Sequence, residues 1–523
     1  MRRSRNKKHA WVIWMTTIVF TLSLVGCAAS PEATKTDKKE ASANIASSKT
    51  LTMAFAWSPA SLDPHGSDSW EIMRSGVGET LVKLNEQLEP KPWLAKEWKQ
   101  ENETTWVFTL QENVRFHNGK KMDAESVKNS LLRSIEKDQK AKDLLQVKSI
   151  EVLAPNQLKI VTDQPNAALI PHLADPSTII VDTKTIENKL SYPALTGAFK
   201  IKKFNKDESL VVERYEDYWG EKARLSKVTI KYIADGNTRL MALQSGDVDA
   251  ATDIPVDSIE VLKKDKNIEV LTAPSLRTHM LLFNMKSPLF KELAYRKVID
   301  MSIPRKAIVS SVMKGEGTEA KSPFAEVLPF GKVEKVKETQ TIDQLMKQSG
   351  WEKNAKGIWE KQGKPFEVKM LTFPQRPELS VMAEIIQNEL LKAGIQVKLR
   401  QVENIDEVLA NEDWDLSMYS MLTAHTGDPQ YFLNIFYRST SESNVSHYVS
   451  PALDSMIDQL NQTSDATKRN GLAVEIQEQI NQDFPQSFIV HPKTIFAVRS
   501  GVKGFTPLPI EYYYNNAQVD VKK

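Results

Sequence analysis

Cys27 is the only cysteine in 523 residues, and the eight histidines, His9, His65, His117, His172, His279, His425, His447 and His491, are scattered. The cysteine has no intrachain partner for a disulfide, and a structural cysteine–zinc site needs more thiolates than the chain owns. The chain has no His-Glu-x-x-His pair, no Gly-x-Ser-x-Gly elbow and no Gly-x-x-x-x-Gly-Lys-Ser/Thr phosphate loop. Asp247 and Asp249 alternate at strand spacing, which does not by itself make a general acid–base pair. An enzyme is not expected.

The surroundings of Cys27 define its chemistry. Arg2, Arg3, Arg5, Lys7 and Lys8 precede an apolar run, Trp11 to Val25, in the pattern of an export signal. Thr16, Thr17, Thr21 and Ser23 interrupt that run, and it falls short of the roughly 20 apolar residues of a spanning helix. Leu24-Val25-Gly26-Cys27 resembles the bacterial lipobox, which implies lipidation of Cys27 and a chain tethered on the extracytoplasmic face of the cell membrane. Ala28 to Thr50 lacks apolar periodicity and reads as a flexible spacer. Without the five basic leader residues the formal charge falls from +2 to about −3, so no basic field points to nucleic acid. Roughly 470 residues remain, enough for two or three domains.

Leu51 to Ala56 and Trp106 to Leu110 read as strands, and Ile150 to Leu153 with Leu158 to Val161 as a hairpin about Pro155-Asn156. Val114 to Lys120 reads as a strand ending in an Asn-Gly turn, and Asp123 as the cap of a helix. Met280 to Asn284 is strongly strand-like. Phe366 to Leu371, Leu379 to Ala393 and Ile395 to Leu399 form a strand–helix–strand succession, which argues for an α/β lobe with a partly parallel sheet. Asp415 to Ser420 is the next strand, and two short ones, Phe488 to Val490 and Thr494 to Val498, come near the end.

Several strings carry a resemblance: Trp93-Leu94-Ala95-x-x-Trp98, Val114-x-Phe116-His117-x-Gly119, Thr196-Gly197-Ala198-Phe199, Tyr218-Trp219-Gly220, Gly246-Asp247-Val248-Asp249 and Asp428-Pro429-x-x-Phe432-Leu433. In this order, behind a lipobox, the chain resembles the extracytoplasmic solute-binding lipoproteins of peptide and nickel ABC importers, family 5, and the nickel or metallophore type within it. The resemblance implies an α/β, two-lobed periplasmic-binding-protein-like clamshell of class II, large cluster, with a small inserted third domain. Its divisions would be a leader over 1–26, anchor and spacer over 27–50, the first lobe over 51–84, 191–284 and 494–523, the insert over 85–190, and the second lobe over 285–493. A monomer would hand its solute to an ABC permease driven by an ATPase.

Peptide-type members place an aspartate for the ligand's ammonium three residues before the Asp-Pro pair, and that position here is His425. A neutral imidazole gives up most of that attraction and offers a metal ligand instead. Nickel-type members often stack a tryptophan and a tyrosine where this loop has Thr423 and Gly427. Arg277, before the strand Met280 to Phe283, would clamp a ligand carboxylate, with His279 beside it. Trp57, Trp70, Tyr419 and Arg376 complete the expected binding set, with His447 and His65 as further metal ligands beside His425. The solute expected is Ni2+ chelated by histidine or another small molecule, with no permanently bound cofactor. A di- or oligopeptide is the alternative, recognised by strand-like hydrogen bonds and end charges.

Overall fold

The structure, a computed structural model, describes residues 49–187, 192–334 and 338–522; the leader, Cys27 and nearly all of the spacer lie outside them. The compact unit is Ser48–Lys523. Thr50–Phe55 buries Met53, Ala54 and Phe55 in succession because parallel neighbours, Lys227–Tyr232 and Ala250–Thr252, flank it inside a sheet covered on both faces. With the antiparallel strands Phe199–Asn205 and Ser209–Arg214, these strands make the sheet of the first lobe.

The second lobe pairs Glu367–Thr372 in parallel with Gln396–Gln401, joined by the helix Pro377–Lys392. Parallel neighbours require such a crossover. Leu379, Met382, Ala383, Ile386 and Leu390 line the buried stripe of that helix. Gly394 ends it at φ +91°, where a Cβ would lie 2.6 Å from the Gly357 carbonyl oxygen, so only glycine fits. Leu416–Leu422 follows, parallel to Glu367–Thr372 and antiparallel to Arg277–Phe283.

One long strand, Gln486–Arg499, joins the lobes. Its first part pairs with Arg277–Phe283 and its second with Ile268–Pro274, both antiparallel. The partner changes at Ser275-Leu276, where the Ser275 N–H donates to the Pro492 carbonyl (3.2 Å) and the Leu276 N–H to that of Pro509 (3.1 Å). Two adjacent strands thus carry the chain between lobes, the construction of a hinge. The expected pair of short strands is this single one. His491-Pro492 breaks the sequence pattern where the pairing partner changes, and the backbone continues extended. The division expected at 284/285 falls one strand after this crossing.

The third, small domain is a four-stranded antiparallel sheet in the order Ala95–Asn102, Thr105–Leu110, Gln157–Thr162, Val147–Ala154. Against it lie the helices Ala124–Lys137 and Gln139–Leu145, the first opened by Asp123, whose carboxylate accepts from the Ser126 N–H at 2.8 Å. Val114 to Lys120 is not a strand. It is a turn closed by one bridge between Arg115 and Lys121, because the strand Thr105–Leu110 already has neighbours on both edges.

Candidate ligand-binding site

Arg277 opens its strand at the crossing. Its Nε and Nη2 donate to the two carboxylate oxygens of Glu511 at 3.4 and 3.3 Å, and its Nη1 to Ser420 Oγ at 3.4 Å. Arg74, the last residue of the helix Ser69–Arg74, reaches the same Glu511 carboxylate at 3.2 Å and the Glu511 carbonyl at 2.8 Å, while its Nη1 bonds Glu71 at 2.9 Å. Its guanidinium lies 4.1 Å from the ring centroid of Trp70 and 4.6 Å from that of Tyr514. Trp57 packs beside Trp70 with ring centroids 6.4 Å apart. Burial alone would raise the Glu511 pKa, but Arg277, Arg74 and Arg376 together outweigh it and hold the group at about 2. Glu71 is the opposite case: burial outweighs Arg74 and pushes it up to about 7, with its Oε2 unpartnered.

On the second lobe, His279 is buried, with Nδ1 3.0 Å from Ser420 Oγ. Its Nε2 has no hydrogen bond and lies 3.5 Å from Glu378. Burial, with Arg376 and Arg277 nearby, drives its pKa well below the usual imidazole value. Arg376 precedes the helix Pro377–Lys392; its guanidinium makes no hydrogen bond to the described residues, only an ion pair to Glu378 at 3.9 Å. Burial and the like charge of Arg277 depress its pKa. An arginine with idle donors beside a second arginine has the donor geometry and charge that carboxylates pair with.

The loop after Leu416–Leu422 passes the same point. His425 Nδ1 is buried without a partner, and its ring meets Tyr431 edge-on at 5.3 Å. Burial, then Lys140, holds its pKa at about 3, with Asp175 opposing. Asp175 is fully buried, bonded to Lys140 at 2.8 Å and to the Tyr512 hydroxyl at 3.3 Å, so the two charges that act most on His425 are themselves paired. Gly427 sits at φ +75°, where a Cβ would come 3.0 Å from Leu88 Cβ. No aromatic side chain fits there.

Four expected residues are placed elsewhere. Thr423 is fully buried, its hydroxyl spent on the Pro323 carbonyl at 2.7 Å, so it anchors the loop instead of facing a ligand. In the register that pairs His279 with Ser420, Tyr419 points to the other face of the sheet, and its hydroxyl bonds Asp406 at 2.8 Å. His65 has both ring nitrogens taken, by the Ile179 carbonyl at 2.9 Å and Arg133 at 3.0 Å, leaving no lone pair for a metal. His447 lies beyond the Phe283 end of the strand that Arg277 opens, near Met285, and that strand alone spans about 20 Å from the crossing. Conversely, Arg74, Glu71 and Glu511 were not singled out from sequence. A lone acid beside Tyr512-Tyr513-Tyr514 was the one signal, since a charge among aromatics needs a partner. An open depression of about 660 Å³ beside Pro304 and Glu319 contains none of these groups.

Two α/β lobes on a two-strand crossing, with unsatisfied guanidinium and imidazole groups gathered where the lobes meet, define a solute-binding clamshell. The chain belongs to the bacterial extracellular solute-binding proteins, family 5, whose model matches residues 89–444. It is a binding protein, not an enzyme. It is 30% identical over 481 residues to the nickel-binding protein NikA of Staphylococcus aureus (strain NCTC 8325 / PS 47), covering 91% of this chain and 95% of that one. A crystal structure of S. aureus NikA with Ni(L-His)2 superposes with a TM-score of 0.80 at 30% identity, over 91% of this chain and 100% of the other. A nickel ABC transporter structure from Bacillus halodurans gives 0.72 at 32% identity, over 90% and 100%. The oligopeptide-binding protein AppA of Bacillus subtilis (strain 168) is more distant, 26% identical over 83% of this chain and 84% of its own length.

Proposed function

We propose that this protein captures a transition metal already chelated by a small carboxylate-bearing molecule, Ni2+ with histidine or a close relative, outside the cell. It then delivers the complex to an ABC permease and its ATPase. It works as a monomer tethered through Cys27. The observation that carries the reading is Arg376, a guanidinium without hydrogen bonds among the described residues, set near Arg277 and His279, whose Nε2 makes no hydrogen bond among them either. Such a pair attracts a ligand carboxylate, and the imidazole of His425 can fill one metal position. Among the described residues no three His, Cys, Asp or Glu groups gather to hold a metal, so the chelator supplies the remaining ligands. The likeness to S. aureus NikA over nearly its whole length supports the same solute class.

The test is calorimetry of the mature protein with Ni2+ alone, L-histidine alone, both together, and a mixed peptide pool. Binding that requires metal and histidine together is expected. Tight capture of peptides with no dependence on metal would overturn the reading.

A further inference from the structure

The second lobe touches the small domain through a chain of buried polar groups outside the ligand-facing set. Gln430, in the second-lobe helix Gln430–Tyr437, donates from Nε2 to Asn166 Oδ1 of the small domain at 3.0 Å, and both residues are 1% exposed. Each partner is fixed within its own body. Asn166 donates to the carbonyls of Leu144 (2.9 Å) and Leu145 (3.3 Å) at the end of the helix Gln139–Leu145. Gln430 Oε1 accepts from Arg469 Nη2 at 2.9 Å, and Arg469 grips Asp428 at 2.7 and 2.8 Å. Next to this bond the Ala167 N–H donates to the Asn461 carbonyl at 3.2 Å, the backbone link between the same two bodies. Lys140 Nζ lies 6.0 Å from the Tyr431 ring centroid across the same junction.

From this arrangement we infer that Gln430 is a closure latch, a positioning residue that holds the small domain against the second lobe and so retains solute without touching it. The chemistry suits a contact that must break in every transport cycle. When the lobes part, water satisfies the freed amides, so opening leaves neither polar atom of the pair stranded. A greasy contact of the same area would resist opening and invite aggregation once exposed. The Asp428–Arg469 pair stays inside the second lobe and keeps the Gln430 amide aimed in either state. Asp428 ends the loop that carries His425, so the same pair ties latch and binding loop to one support.

The test does not rest on which solute is bound. Hydrogen–deuterium exchange of the Ala167 amide reads the junction directly in the mature protein, without ligand and with Ni2+ plus L-histidine as the probe. Two variants separate latch from scaffold: Gln430→Leu removes the amide, and Gln430→Glu keeps the shape and the Arg469 contact but loses the donor facing Asn166. Both are expected to speed Ala167 exchange about fivefold, the worth of one ordinary hydrogen bond, and to speed release of the probe similarly. The strand amides of 105–110 and 367–372 should keep their protection. Ala167 exchange at the wild-type rate in both variants would overturn the inference, and so would equal acceleration throughout the second lobe, which marks a purely structural role. If wild type fails to bind the nickel–histidine probe, the proposed solute is wrong, while the ligand-free exchange still decides the latch.

Discussion

Arg277 and Glu511 face each other in a two-point ion pair, Nε to Oε1 at 3.4 Å and Nη2 to Oε2 at 3.3 Å, at the place where the chain crosses between lobes. Arg74 holds the same carboxylate from the first lobe at 3.2 Å. Glu511 therefore neutralises guanidinium groups on both sides of the hinge.

Glu511→Gln should be among the most damaging single changes to the fold. It leaves Arg74 and Arg277 buried with one fewer counter-charge, a loss of about 3–5 kcal/mol. The pH dependence follows the direction of the shift. A carboxyl held at about 2, against 4.5 ordinarily, stabilises the protein above the ordinary value and loses that contribution as pH falls toward 2. Urea titrations from pH 3 to pH 7 should show wild-type stability rising with pH, with a shallower rise in Glu511→Gln. Equal slopes would contradict this role.

Arg376 should behave in the opposite way. It has no hydrogen bond to lose among the described residues, and its removal relieves repulsion with Arg277. Arg376→Met should leave the ligand-free melting temperature unchanged or raised, while weakening the nickel–histidine complex by about 2 kcal/mol or more. Calorimetry and thermal melts on the same samples give both numbers. A variant that binds normally and melts early would make Arg376 a structural residue.

Much of this was legible in the chain. The strand and helix periodicity of 366–399 gave the parallel lobe, and Arg277, His279, Arg376 and His425 stand out as polar groups at strand starts and in loops beside apolar runs. The hub was not legible, because Glu511 meets Arg74 across 437 residues and Arg277 across 234, distances over which local pattern says nothing. The same holds for His65. Whether an imidazole has a free nitrogen depends on a partner from elsewhere, here the Ile179 carbonyl 114 residues on. Tyr419 and Ser420 differ by one step along a strand, and only the pairing register decides which of them faces the site.

Glu79 offers a second pH signature. Its carboxylate is buried at the joint of the first lobe and the small domain, accepting from Tyr218 at 2.6 Å and Trp219 at 3.0 Å. Burial outweighs these bonds and pushes its pKa up to about 7. A raised acid favours the folded state most below its ordinary value and loses that contribution as pH rises through 7. Glu79→Gln keeps the shape and removes the charge, so it should gain stability over wild type at pH 8 and match it near pH 4. Denaturant midpoints at the two values test this. A variant less stable at pH 8 would mean that the ionised form is the one the fold prefers.

His425 should contribute to binding without titrating. Its pKa of about 3 keeps the imidazole neutral, and so able to ligate, throughout pH 5 to 8. Its Nδ1 has no partner among the described residues, so His425→Ala breaks no hydrogen bond to them at that atom and the variant should fold normally. Affinity for the nickel–histidine complex should fall about tenfold or more. The free chelator protonates in the same range, so the useful quantity is the ratio of wild-type to variant affinity at each pH, in which the chelator's own titration cancels. That ratio should be flat from pH 5.5 to pH 7.5. A step near 6.5 would instead require an imidazole with ordinary access to protons, which its burial against Tyr431 and the nearby Lys140 charge both oppose.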